Sequence, residues 1–92
     1  MERERAIYAN MMLVIDEYKI PVAAELRDGT KFRLYDQVWV NDYEGYPGPG
    51  IKHGGFGRIM EIRREATDGN YFGVLMSNGE FGYTMDKYLR LA

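Results

Sequence analysis

Few side chains in this sequence could carry out nucleophilic or acid–base chemistry. The chain contains one serine, Ser77, one histidine, His53, and no cysteine. A serine triad would need Ser77, in a predicted turn, to meet His53, in a glycine-rich segment, and nothing in their spacing supports this arrangement. Pairs of carboxylates exist among the 14 acidic residues, but a domain this small offers little concave, water-excluded space. We therefore expect no enzymatic activity.

The patterns for metal and phosphate binding are incomplete as well. A lone histidine cannot supply the His and Cys set that zinc prefers, and residues 41–45 lack the alternating acids of a calcium loop. The spacing from Gly45 to Gly50 resembles a phosphate-binding loop, but Lys52 follows one position late and no Ser or Thr comes after it. The sequence therefore predicts no bound metal and no cofactor.

Length and charge limit the remaining classes. With 92 residues, 46% of them apolar, the chain is long enough for a single domain, residues 1–92. Twelve basic residues against 14 acidic ones give a net charge of −2, which argues against a protein that mainly grips bulk nucleic acid. The longest apolar run, residues 11–15, is too short to cross a membrane. We expect a cytoplasmic protein without membrane contacts.

The first part of the chain carries a helical pattern. Four residues recur at spacings of four, three and four: Ile7, Met11, Val14 and Tyr18. This spacing predicts a helix over residues 2–18, within an N-terminal helical segment 1–19 that Pro21 ends. The flanking Glu, Arg and Ala residues favour a helix. The alternative is a buried strand at 11–15, since five consecutive apolar residues show no period of their own.

From residue 20 onward the pattern is typical of β-structure. Short apolar runs alternate with turn signals such as Asp28-Gly29 and Asn78-Gly79. The expected elements are strands at 22–26, 31–34, 38–40, 59–64, 71–76 and 80–84, then one helical turn and a closing strand within 85–91. Between them, a long loop at 41–57 holds six glycines and two prolines. The predicted fold is mainly β (α+β): a five-stranded small barrel over 20–92 with an N-terminal helix.

Four segments carry a resemblance to a known fold. They are Tyr35-Asp36-Gln37-Val38-Trp39-Val40, Gly57-Arg58-Ile59-Met60-Glu61-Ile62, Asn78-Gly79-Glu80-Phe81 and Tyr88-Leu89-Arg90-Leu91. Over residues 31–92 the chain resembles a Src-homology-3-like small barrel of the KOW and electron-transfer-accessory type. The resemblance implies a strand, a loop, a second strand, a hairpin, a short helical turn and a closing strand. The connection from Val40 to Gly57 is longer than in a typical KOW motif.

Recognition of a partner is the remaining function. The expected partner-binding residues are aromatic or basic and lie in or near the long loop: Trp39, Tyr43, Tyr46, His53, Arg58, Arg63, Arg64 and Tyr83. Strand alternation turns Trp39 away from Val38 and Val40, so it is either a surface contact or a covered residue. Segment 51–66 carries a local net charge of +2. Phe56 and Phe72 are expected in the core.

The resulting expectation is a non-catalytic protein-binding module, an accessory or inhibitory regulator of a larger protein assembly. Aromatic side chains supply much contact area at low entropic cost, and arginines orient a partner by charge. The alternative, which the resemblance adds, is a KOW-like module that binds RNA or DNA through Arg58, Arg63, Arg64 and the loop aromatics. The sequence leaves the oligomeric state open.

Overall fold

The chain forms two antiparallel sheets. The computed structural model describes residues 4–8, 11–42, 47–66 and 68–92. Their strands are β1 (Glu4–Tyr8), β2 (Met11–Ile15), β3 (Pro21–Leu26), β4 (Lys31–Arg33), β5 (Gln37–Val40), β6 (Gly55–Ile62), β7 (Phe72–Met76), β8 (Phe81–Thr84) and β9 (Leu89–Leu91). One sheet has the order β1-β2-β3-β4 and the other β8-β7-β6-β5-β9. A 3-10 helix, Asp86–Tyr88, precedes β9. The mainly β fold is therefore as expected.

The predicted N-terminal helix is wrong. Residues 4–8 and 11–15 are paired strands, and the alternative that placed a buried strand at 11–15 is correct. β2 lies between β1 and β3, which explains why its apolar residues are buried without helical spacing. Pairing with neighbouring strands thus overrides the helix propensity of the flanking residues. Pro21 begins β3 instead of ending a helix.

The predicted five-stranded barrel over residues 20–92 is also wrong. The strands that follow residue 20 divide between the two sheets, and the barrel is not closed. The first sheet recruits β3 and β4 because the N-terminal strands supply β2 as a pairing partner for β3. The second sheet begins only at β5, so residues 37–91 contain the five-stranded part of the molecule.

Apolar residues from both sheets form one core. Leu13, Ile15 and Phe32 from the first sheet and Val38, Ile59, Phe72 and Val74 from the second are almost completely buried. The rings of Phe32 and Phe72 meet edge to face, with centroids 5.5 Å apart. Such aromatic pairs add stability beyond the area they bury. The core position of Phe72 is as predicted.

Strand β6 starts earlier than the sequence suggested. It begins at Gly55 and not at residue 59, so the last three residues of the predicted long loop, 55–57, belong to the sheet. In an antiparallel strand successive side chains alternate between faces, and Phe56 consequently points away from the core with 46% of its surface exposed. The prediction that Phe56 is a core residue is wrong. An irregularity in pairing between Ile59 and Glu61 returns Ile62 to the buried side.

The second half of the long loop packs against the free edge of β8. The backbone N–H of Tyr83 donates to the carbonyl oxygen of Pro49 (2.9 Å), and the buried Thr84 hydroxyl donates to that of Pro47 (2.9 Å). A Cβ at Gly48 would collide with the carbonyl oxygen of Tyr83, and one at Gly82 with that of Pro49. Glycines therefore let the two backbones approach, and this part of the loop covers an unpaired strand edge.

Candidate functional site

The side of the five-stranded sheet that faces away from the core is rich in exposed apolar and basic side chains. We call it the outer face. It comprises Gln37, Trp39, Phe56, Arg58, Met60, Glu61, Leu75, Phe81, Tyr83 and Arg90. The alternation of β6 explains this arrangement, because Gly57 and Ile59 are buried whereas Phe56, Arg58 and Met60 are exposed.

Strand register brings these residues side by side. Trp39 lies opposite Phe56 on one side and Arg90 on the other. Arg58 lies opposite Leu75, which in turn lies opposite Phe81. Directly opposed side chains on neighbouring strands are in contact distance. The outer face is therefore a continuous surface across all five strands.

The aromatic rings of the outer face contact one another edge to face. Trp39 and Phe56 have centroids 4.8 Å apart with an interplanar angle of 82°. Phe81 and Tyr83 have centroids 5.5 Å apart with an angle of 83°. These contacts restrict the orientations of the four rings. Trp39 combines both predicted roles, since it belongs to the outer face and is partly covered by its neighbours.

Three arginines are attached to this surface by their own contacts. The Arg58 Nη1 donates to the carbonyl oxygen of Tyr35 (2.7 Å). The guanidinium groups of Arg63 and Arg90 lie 4.7 Å and 5.7 Å from the ring centroids of Tyr83 and Trp39. Cations at such distances are attracted to an aromatic ring. These contacts hold the guanidinium groups of the three arginines in place at the surface of the sheet.

A carboxylate pairs with the tyrosine at one end of the outer face. The Tyr83 hydroxyl donates to Glu61 Oε2 (3.1 Å). This hydrogen bond favours the protonated phenol, and the carboxylate charge disfavours the phenolate, so the pKa of Tyr83 lies above its ordinary value of 10.0. Glu61 is therefore already engaged within the chain.

A shallow depression lies beside Arg58. Its volume is about 240 Å³, and it is lined by Gln37, Phe56, Gly57, Arg58, Leu75, Met76 and Ser77. Apolar side chains form most of its wall, and Gln37 and Ser77 add polar groups. A single apolar side chain of a partner would fit such a depression better than a substrate that needs enclosure.

His53 lies beside the turn between β7 and β8. Its Nδ1 is 3.5 Å from Glu80 Oε1, and three quarters of its side chain is exposed. Glu80 also accepts hydrogen bonds from the backbone N–H groups of Lys52 and His53 and from the Asn78 side-chain amide. The Asn78 bond is the largest cause of a pKa of Glu80 below 4.5. Glu80 thereby fastens the long loop to the hairpin.

The remaining predicted site residues have mixed positions. The structure brings Trp39, Arg58 and Tyr83 together on the outer face, and Arg63 adjoins them through Tyr83. Arg64 is exposed beyond the end of β6. Tyr43 and Tyr46 lie outside the described residues, so their role stays a prediction.

The predicted basic cluster of segment 51–66 is dispersed along β6. Lys52 lies near Glu80 at one end of the strand and Arg63 near Asn70 at the other. Four residues lie between Arg58 and Arg63, and the five steps that join them span roughly 16 Å at the usual rise per residue of a strand. The segment therefore does not form one compact positive patch.

Sequence reasoning missed six members of the outer face and assigned a seventh, Phe56, to the core. The six are Gln37, Met60, Glu61, Leu75, Phe81 and Arg90. The alternation Phe56-x-Arg58-x-Met60 and the alternation Phe81-x-Tyr83 were available as signals. Which residues of neighbouring strands lie opposite one another could not be predicted without the register of the strands.

Other kinds of site find no support in the described part of the chain. No group of three or more His, Cys, Asp or Glu residues there could hold a metal ion. No helix among those residues is long and apolar enough to cross a membrane.

Comparison with known protein families, with curated proteins and with solved structures gives no match for this chain.

Proposed function

We propose that this chain is a non-catalytic module that binds a larger protein through its outer face. The proposal depends mainly on the exposure of four large apolar side chains from three adjacent strands: Phe56 (46%), Met60 (40%), Leu75 (44%) and Phe81 (43%). Monomeric proteins seldom leave extended apolar patches open to water, and such patches typically mark interaction sites. The proposal includes an accessory or inhibitory role for the module.

The strand order supports a Src-homology-3-like origin for the five-stranded sheet. After β5 come a long connection, β6, a nine-residue connection to β7, a four-residue turn to β8, the 3-10 helix Asp86–Tyr88 and the closing strand β9, which pairs with β5. The implied elements therefore occur in the implied order. Src-homology-3-like folds serve many functions, so this likeness supports a binding module without naming its partner.

The contacts between arginines and aromatic rings on the outer face favour a protein over a nucleic acid as the partner. Proteins that bind single strands stack bases on open aromatic faces. Here Arg90 and Arg63 lie over the rings of Trp39 and Tyr83. Base stacking on the covered faces of Trp39 and Tyr83 would need these arginines to leave the rings. The net charge of −2 adds no attraction for a nucleic acid.

Affinity capture with matched baits tests the proposal. The baits are the unaltered protein, Leu75→Asp and Tyr18→Asp, the last as a control because Tyr18 is exposed (74%) but lies between β2 and β3. A charge at the outer face should remove the protein partner, whereas the control should keep it at wild-type stoichiometry. Thermal melts verify that both variants fold.

Two results would contradict the proposal. One is a partner that all three baits retain equally. The other is capture that nuclease treatment abolishes for every bait, which would favour the KOW-like alternative.

A further inference from the structure

The charge of the outer face is opposite to that of the whole chain. Among the residues of the outer face, Arg58 and Arg90 are basic and Glu61 is the one carboxylate; the guanidinium of Arg63 lies beside the face, over the ring of Tyr83. Glu61 already accepts the Tyr83 hydroxyl. The chain as a whole carries a net charge of −2. The apolar patch thus lies within a locally positive surface.

Arg58 retains donors for a ligand. A guanidinium has five N–H groups, and the bond from Nη1 to the Tyr35 carbonyl engages one of its nitrogens. Arg58 is exposed, and the depression beside it is bounded by Phe56 and Leu75. A carboxylate can therefore meet the free edge of the guanidinium in a bidentate pair, while an adjacent apolar side chain enters the depression.

The opposing face of a second copy does not fit this surface. A twofold dimer through the outer face would bring together two copies of the same surface, which carry the same sign of net charge. Like charges at an interface are repulsive. A nucleic acid would supply negative charge, but arginines lie over the rings of Trp39 and Tyr83. The two other rings of the outer face, Phe56 and Phe81, are held in edge-to-face pairs, which disfavours a run of stacked bases.

We propose that the outer face recognises an acidic protein segment in which Glu or Asp side chains alternate with large apolar ones. This inference rests on the proposed protein-binding function and specifies the partner's chemistry. The carboxylate pairs with Arg58, a neighbouring apolar side chain fills the depression bounded by Phe56 and Leu75, and Arg90 attracts a second carboxylate. Because the arginines are held by their own contacts, little side-chain freedom is lost on binding.

Titration with synthetic peptides tests this inference. The probes are a short peptide that alternates Glu with Leu and Phe, a twin with Gln at each Glu, a twin with Lys, and a single-stranded oligonucleotide. Binding is followed by amide chemical shifts. We expect the Glu peptide to shift the amides of Arg58, Leu75 and Phe81 and to bind about tenfold more tightly than the Gln twin.

Charge variants complete the test. Arg58→Gln should weaken binding of the Glu peptide about tenfold, and Arg58→Lys less, since a lysine keeps the charge but loses the bidentate geometry. Arg33→Gln is the matched control, because Arg33 is an exposed arginine on β4 and outside the outer face. It should bind like the unaltered chain. Arg90→Gln provides a second variant if Arg58→Gln lowers stability.

Each contrary outcome has a distinct meaning. Equal binding of the Glu and Gln peptides, or no binding of the Glu peptide, would overturn the acidic-partner inference. If Leu75→Asp still loses the captured protein, the proposed function survives that result. Tighter binding of the Lys peptide, or of the oligonucleotide in a manner that depends on Arg58, would likewise overturn the inference. Loss of the inference and loss of the proposed function are therefore separable.

Discussion

Replacing Gly82 with alanine should detach residues 47–51 of the long loop from the edge of β8. A Cβ at this position would collide with the carbonyl oxygen of Pro49 and lie 2.8 Å from both the Gly50 carbonyl carbon and Ile51 Cγ1. Ile51 is completely buried, so the segment cannot move outward without exposing it. The collision involves backbone on one side, which a rotamer change cannot relieve.

The expected loss of stability is about 2 kcal/mol. Overpacking in a tight contact costs about 1–3 kcal/mol, and loss of the bond from the Tyr83 N–H to Pro49 costs about 1 kcal/mol more. Gly82 has no positive φ, so alanine returns about 0.4–1 kcal/mol by restricting the unfolded chain. For a domain of this size, each kcal/mol lowers Tm by about 4–8 °C, which gives a decrease of about 8–16 °C.

Thermal unfolding together with amide hydrogen exchange measures this effect. The Tyr83 amide should lose protection in Gly82→Ala, because its acceptor moves away. Gly79→Ala is the control: it lies in a turn with φ +92° and has nothing near its missing Cβ. It should cost only the backbone strain of about 1–2 kcal/mol and leave the Tyr83 amide protected. A Gly82→Ala variant with wild-type Tm and a protected Tyr83 amide would refute the reasoning.

Three further predictions concern polar contacts. Thr84→Val should destabilise the fold by about 1–3 kcal/mol in urea unfolding, because it leaves the Pro47 carbonyl without its buried donor. Ionised Glu80 stabilises the loop, and its lowered pKa means that this contribution is complete above pH 4.5 and lost as the pH falls through that pKa. The hydrogen-exchange protection factor of the Lys52 amide, corrected for the intrinsic exchange rate at each pH, should accordingly fall in acid. Glu61→Gln should lower the raised pKa of Tyr83 toward 10.0 in an NMR titration.

Each of these predictions has a control and a contrary outcome. Thr84→Ser keeps the hydroxyl and should retain most of the stability, so equal losses for Ser and Val would contradict the hydrogen-bond argument. Glu80→Gln should remove the acid-dependent change at Lys52, and persistence of that change would assign it to another group. Tyr83→Phe identifies the shifted resonance, and an unchanged pKa in Glu61→Gln would show that the carboxylate is not its cause.

The sequence revealed the strands wherever local signals were sufficient. The Asp28-Gly29 and Asn78-Gly79 turns join paired strands, and the helical turn before the closing strand is present. These features depend on neighbouring residues and on turn chemistry, which a single sequence displays directly.

The errors arose where distant pairing decides the structure. Residues 11–15 have no period of their own, and only the pairing of β2 with β1 and β3 makes them a strand. Gly57 looks like part of a loop, yet it is a buried strand residue whose Cβ would lie 2.6 Å from Val74 Cγ1. Because Gly57 was assigned to the loop, the start of β6 was predicted too late and the exposure of Phe56 was missed.

The outer face could be found only in part from the sequence. Trp39, Arg58 and Tyr83 were recognised by residue type, because aromatic side chains and arginine are common at interfaces. The opposition of Leu75 to Arg58, and of Arg90 to Trp39, depends on the strand register. Residue type and spacing carry no information about this register between β5, β6, β7 and β9.

Hydroxyl-radical footprinting of the complex with the captured partner tests the central proposal most directly. It reads the solvent exposure of side chains, and Phe56, Met60, Leu75 and Phe81 are all exposed in the free chain. We expect oxidation of these residues to fall on complex formation while that of Tyr18 stays constant. Protection of Tyr18 or of the four-stranded sheet, with the outer face oxidised as in the free chain, would contradict the proposed binding surface.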